Sequence, residues 1–303
     1  MNQDFVLDLA LPLTLFLMML SMGSTLRPRD FALLARRPAV VATGISSQLL
    51  LLPLLALLLL ALLRLSPLPM SPEIYAGFVI LALSPGGTTS NVFSYLAGGN
   101  VALSITLTAL VSLVAPFSLP LAANLILSGE SPGVGGFRLP VLDTVRKLLL
   151  VTLLPVSLGM LLRRFAGGFC LRRERLLTRV PFAMLLLVIC GIAAQNWTLM
   201  PSFLAQTGIP ALLLAAVALA AGYAWARLLR RDARDARTIA IETSIQNGGT
   251  AMLVTGTILH NPAMTIAPVM YGILMLLPMF AYLLLLRRRR GGELSMAAAS
   301  GKG

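Results

Sequence analysis

The chain has 303 residues, 57% of them hydrophobic and 12% charged, with a mean hydropathy of +0.88, too little polar surface to coat a soluble globule. The formal net charge of +13 does not mark a nucleic-acid binder, because the basic residues are spaced between apolar stretches and are not gathered in one region with aromatic side chains. Cys170 and Cys190 are the two cysteines, which excludes a disulfide framework or a cysteine metal site and leaves them as packing residues.

A membrane-spanning helix needs about 20 mostly apolar residues. Hydropathy and breakers predict nine, at about 5–26, 38–64, 72–98, 101–127, 140–165, 179–198, 203–229, 235–259 and 262–287. The start carries Asp4 and Asp8 and no basic leader region, so the first stretch reads as an uncleaved helix. Residues 1–290 form one transmembrane domain, with 291–303 as a disordered cytoplasmic tail. Arginines crowd the loops after the first, fifth and seventh spans and follow the ninth at Arg287–Arg290. Of the 24 basic residues only Arg64, Arg138, Arg146 and Lys147 fall on the other side. Short basic loops stay in the cytoplasm, so the chain is expected in the cell (inner) membrane, multi-pass, with its N-terminus outside and its C-terminus in the cytoplasm.

The third and eighth spans are interrupted by glycine and polar residues, and each is followed by one continuous apolar helix. They lie five spans apart, so the units two-three-four and seven-eight-nine cross the membrane in opposite senses. Inverted repeats with paired discontinuous helices hold substrate and coupling ions between the breaks. The predicted fold is therefore an all-α membrane protein with an inverted repeat. If the first span corresponds to the sixth, the fifth has no counterpart and the first half is one span short.

In the third span, Ser84-Pro85-Gly86-Gly87 breaks the helix and Thr88-Thr89-Ser90-Asn91 follows with four polar side chains. Non-helical backbone at membrane depth survives only where protein or a water-filled cavity satisfies it. The other reading is a kink whose hydroxyls bond back to the helix. The eighth span carries Glu242-Thr243-Ser244-Ile245-Gln246-Asn247-Gly248-Gly249, and Glu242 is the one acidic residue placed inside a span away from its ends. No basic residue is predicted comparably deep, so a cation or proton is its natural partner. If the helix starts later, Glu242 lies instead at the interface beside Arg237. Ser104 and Thr108 share one face of the fourth span at i, i+4; they either supply cation ligands or help helices pack. Gln48 is the one amide within the second span, and a buried amide needs a partner, in the site or on a neighbouring helix. Carboxylate, amide, hydroxyl and main-chain oxygens are the ligands hard cations prefer.

At both broken motifs, and at Met22-Gly23-Ser24-Thr25-Leu26 before the first basic loop, the sequence resembles the bile acid:sodium symporter family, as a nine-helix bacterial-type member. The resemblance reaches from about residue 15 to 287. It implies crossing discontinuous helices within a core, at about 38–127 and 203–287, that moves against a panel of helices at about 5–26, 140–165 and 179–198. It implies one sodium site from Ser90, Asn91, Ser104, Thr108 and Glu242, and a second from Gln48, Glu242, Gln246 and the main-chain carbonyls of Thr243 and Ile245. Thr88 and Asn247 match positions implied to face substrate. Leu276 and Leu277 stand where bile-acid-transporting bacterial relatives carry a His-Asn pair.

The expected function is sodium-coupled symport of a small organic anion, a monocarboxylate or bile-acid-like compound, by alternating access, with Na+ as coupling ion and no other cofactor. Two sodium ions against one carboxylate keep a net positive charge, which leaves room for an anionic substrate. Two alternatives use the same fold: a proton-coupled carrier with Glu242 as proton carrier, and a channel or sensor. An enzyme is not expected, because the sequence offers no carboxylate pair or metal cluster and its one histidine, His260, sits in a short loop beside Asn261 and Pro262.

Overall fold

Proline punctuates the leucine-rich runs, and several helices begin at it, where the missing N–H costs nothing and the fixed φ suits the first turn. The computed structural model describes residues 9–27, 31–65, 70–127, 138–195 and 197–300, without the side chains of 174, 192, 193, 195 and 289–300. Asp4, Asp8, Arg29 and Lys302, and the start of the first span, lie outside the described residues. The helices are α1 (Leu11–Thr25), α2 (Pro38–Arg64), α3 (Pro72–Leu83), α4 (Ser90–Leu96), α5 (Val101–Leu127), α6 (Val141–Phe165) and α7 (Gly167–Gln195). They continue with α8 (Met200–Leu228), α9 (Ala233–Ser244), α10 (Gly248–Met252, extended by a wide turn over Leu253–Ile258), α11 (Pro262–Leu274) and α12 (Leu276–Ser300). Among the described residues the one β-type pairing is an isolated antiparallel bridge between Gly86 and Gln246.

Five described stretches are long and apolar enough to cross a membrane: Pro38–Arg64, Val101–Leu127, Val141–Phe165, Trp197–Leu228 and Pro262–Arg288; Leu11–Thr25 and Pro72–Leu83 are shorter apolar helices. Their outer faces suit lipid. On α2, Leu52, Ala56 and Leu60 are buried while Leu50, Leu54, Leu58 and Leu62 are exposed at i+4 spacing. Such a stripe is a liability in water and ordinary against acyl chains.

α1 packs against α6 and α7, and α8 packs against α9 and α11. The α1–α6 crossing is close because glycines face each other's backbone. A Cβ at Gly23 would lie 2.1 Å from the Val156 carbonyl oxygen, and one at Gly159 would lie 2.2 Å from that of Leu20. Small residues at a crossing let membrane helices gain packing contact where lipid offers no hydrophobic drive.

Two boundaries differ from the sequence reading. The sixth span, placed at 179–198, belongs to a helix that starts at Gly167. The arginines at 172, 173 and 175 read as a loop, yet arginine is a good helix former and no proline intervenes before Pro181. At the C-terminal end the helix continues to Ser300, through most of the segment expected as a disordered tail.

Candidate functional site

The two interruptions meet. α3 ends at Leu83, and Ser84 turns into extended backbone; α9 ends at Ser244, and Ile245 is extended before Asn247 caps α10. Where they cross, the Gly87 N–H donates to the Ile245 carbonyl at 2.9 Å and the Asn247 N–H donates to the Pro85 carbonyl at 2.9 Å. Each break thus supplies partners for the other's stranded backbone groups, which meets the requirement for irregular backbone inside a membrane. Glycine is needed at Gly86, where a Cβ would sit 3.0 Å from both Gln48 Oε1 and Glu242 Oε2.

Glu242 lies in the last turn of α9, fully buried, so the interface reading beside Arg237 does not hold. Ser90 on α4 and Ser104 on α5 both donate to its Oε1. Thr108, one turn beyond Ser104, contacts both carboxylate oxygens, at 3.1 and 2.9 Å, and Gln48 Nε2 approaches Oε2 at 3.5 Å. Four helices therefore converge on one carboxylate. The Thr108 hydroxyl also lies 3.0 Å from the Ser104 carbonyl and 3.4 Å from Ser90 Oγ, and its single proton serves one acceptor at a time.

The local sequence explains how Gln48 reaches the site. Pro53 cannot donate to the carbonyl four residues back, and the α2 ladder widens into a π-type turn over Ser47–Leu51. Beside it, Thr243 Oγ1 bonds Ser47 Oγ at 2.9 Å.

Three buried amide oxygens around the crossing lack a donor among the described residues: Gln48 Oε1, Asn91 Oδ1 and Gln246 Oε1. A buried acceptor without a partner costs about 1–3 kcal/mol. The remaining anticipated residues are placed differently. Asn91 sits next to Ser90 but does not bond Glu242. The Thr243 carbonyl accepts from Gln246 Nε2 at 2.9 Å, and that of Ile245 is taken by Gly87. Asn247 is nearly buried and its Oδ1 accepts from the Thr250 N–H at 3.1 Å, while Thr88 is half-buried beside the crossing.

A second polar cluster, which sequence reasoning missed, holds one end of the same helices. Asp235, 1% exposed, pairs with Arg37 at 2.7 Å and accepts from Asn100 Nδ2 at 2.8 Å. The Asn100 N–H donates to Thr238 Oγ1 at 2.7 Å. Asp232 caps α9 by accepting from the Asp235 N–H, which holds its carboxyl below the usual range. Asn100 after two glycines, capping α5 through the Leu103 N–H, is the signal that was available.

The profile of the Sodium Bile acid symporter family matches residues 12–201, well over half of the chain. The chain belongs to the sodium bile acid symporter family. Within this family it is 30% identical over 244 residues to an uncharacterized sodium-dependent transporter, YocS, of Bacillus subtilis, covering 78% of this chain and 71% of that protein. It is 32% identical over 246 residues to the probable chloroplastic sodium/metabolite cotransporter BASS1 of rice, Oryza sativa subsp. japonica, covering 80% of this chain and 57% of that protein. It is also 29% identical over 256 residues to the human P3 protein, covering 81% and 50%. The chain thus spans little more than half the length of the rice relative. The family match includes Gln48, the first broken helix and the Ser104–Thr108 face; Glu242 lies beyond it in sequence and against it in space.

Proposed function

We propose that this chain is a sodium-coupled symporter of a small organic anion, a monocarboxylate or bile-acid-like compound, working by alternating access. One observation carries the reading: a fully buried carboxylate is ringed by neutral hydroxyl and amide groups, with three donor-less amide oxygens alongside. A buried carboxylate needs a counter-charge, and no arginine or lysine among the described residues pairs with Glu242. Oxygen ligands of mixed type suit a hard cation. The relatives named as sodium-dependent transporter and sodium/metabolite cotransporter agree with sodium as that cation.

In this reading Ser90, Asn91, Ser104, Thr108 and Glu242 hold one sodium ion. Gln48, Glu242, Gln246 and the carbonyls of Thr243 and Ile245 hold a second beside Gly86, with Thr88 and Asn247 toward the anion. Nine spans give an N-terminus outside and a C-terminus in the cytoplasm, with α3–α4 and α9–α10 as the inverted discontinuous pair. The close α1–α6–α7 packing supports a panel, and the elements gathered around α8 and the crossing support a core that moves against it. Sodium binding closes the crossing around Glu242 and so favours the state that accepts the anion.

The test is uptake of small carboxylates into proteoliposomes with and without an inward sodium gradient, for the wild type and Glu242→Ala. Sodium-driven uptake that the substitution abolishes is the expected result. Uptake indifferent to both, or driven by a pH gradient alone, overturns the proposal.

A further inference from the structure

A helix that stops leaves its last carbonyls without intrahelical partners, and at the C-terminal end of α9 these are the carbonyls of Ile241, Glu242, Thr243 and Ser244. All of them are covered, by different means. The Ile241 carbonyl accepts from the Ile245 N–H at 2.8 Å, and the Ser244 carbonyl accepts from the Tyr271 hydroxyl of α11 at 2.7 Å. The carbonyls of Glu242 and Thr243 share one side chain: Gln246 Nε2 lies 3.4 Å from the first and 2.9 Å from the second. Gln246 is 2% exposed, and its Oε1 accepts no hydrogen bond among the described residues. Which end of an amide faces a partner is set by the hydrogen-bond network. An oxygen so close to the Thr243 carbonyl oxygen would repel it, so the nitrogen belongs on that side.

In the sodium-coupled reading, on which this inference rests, Gln246 and the Thr243 carbonyl ligate one ion together. They can do so only with Oε1, not Nε2, turned toward the carbonyl. The partly positive amide hydrogens thus stand where that ion would be held. We propose that the Gln246 amide nitrogen stands in for the second sodium ion at the α9 carbonyls of the empty carrier, and that the side chain turns end for end when the ion binds. The terminal torsion of glutamine is broad and roughly two-fold. Because Oε1 holds no donor among the described residues, the turn gives up only the two Nε2 contacts. Without a cation the turned form sets oxygen against oxygen at the negative end of a helix. With a cation both oxygens become ligands, so sodium reverses the preference. Symport also needs the carrier to return without its ions, and carbonyls at membrane depth still need a donor then; Gln246 supplies it.

The experiment is a solid-state magnetic-resonance distance measurement on the full chain in lipid bilayers, with isotope labels on glutamine side-chain nitrogens and threonine carbonyl carbons. It reads the dipolar coupling between the Gln246 side-chain nitrogen and the Thr243 carbonyl carbon, in potassium and in saturating sodium. Gln246→Met identifies that coupling by removing the nitrogen, and Thr243→Ser identifies it independently, by removing the labelled carbon, if the first variant fails to fold. The coupling is expected to be strong in potassium and lost in sodium. Radiolabelled sodium binding to the same samples separates the two ways of failing. Saturable sodium binding with the coupling unchanged between the salts overturns this inference and leaves the sodium-coupled reading standing. No saturable sodium binding overturns both.

Discussion

Burying a carboxylate costs several kcal/mol even after relaxation, and the hydroxyls of Ser90, Ser104 and Thr108 offset part of that for Glu242 without neutralising it. Each hydroxyl removed takes away one stabilising oxygen from the proposed cation shell, worth about 1–2 kcal/mol. Thr108→Ala is therefore expected to raise the sodium concentration for half-maximal uptake about tenfold, while the half-saturating substrate concentration at saturating sodium moves little. A carrier that needs only protonation of Glu242 would tolerate the change. Gly86→Ala places a methyl 3.0 Å from Gln48 Oε1 and Glu242 Oε2. It is expected to make uptake less steep in sodium concentration by impairing the second ion, a change that titrating uptake against sodium would reveal. Unchanged steepness would place any second ion elsewhere.

At the scale of elements, crossing and register both depend on contacts far apart in sequence. Asp235 lies two turns before Glu242 on α9, and Asn100 lies one turn before Ser104 on α5. The Asp235–Asn100 bond thus fixes the register of the two helices whose side chains meet at the carboxylate. Asp235→Ala removes that bond and the Arg37 pair. Because Arg37 is about half exposed, the expected cost is about 1–3 kcal/mol, below that of a fully buried pair, and is read as a lower melting temperature in detergent. Gly159→Ala drives a methyl into the Leu20 carbonyl and is expected to cost about 1–3 kcal/mol by the same measurement. Gly168→Ala, with nothing within 4 Å, is its control and should not lower the melting temperature. The breaks themselves were legible, because Pro85-Gly86-Gly87 and Gly248-Gly249 interrupt apolar runs and Glu242 stands alone within one. Which faces meet was not. The Asp235–Asn100 bond and the Arg37–Asp235 pair arise from tertiary packing, which carries no local period. The start of α7 was missed because arginines that solvate a helix look, in sequence, like arginines that solvate a loop.

For the molecule as a whole, the arginine-rich ends and the odd number of proposed spans predict opposite sides for the two termini. In a background with Cys170 and Cys190 replaced by alanine, Leu65→Cys, 86% exposed, should react with an impermeant thiol reagent on intact cells. Leu228→Cys, 75% exposed, should react only after permeabilisation. The reverse pattern would invert the topology while leaving the site geometry intact. Central to the account is that Glu242 is balanced by bound sodium, and equilibrium binding of radiolabelled sodium to the purified full chain, wild type against Glu242→Gln, tests it most directly. Saturable binding that potassium does not displace, lost in a Glu242→Gln variant that keeps its helical content, is the predicted result. Binding of equal affinity in both proteins would contradict it.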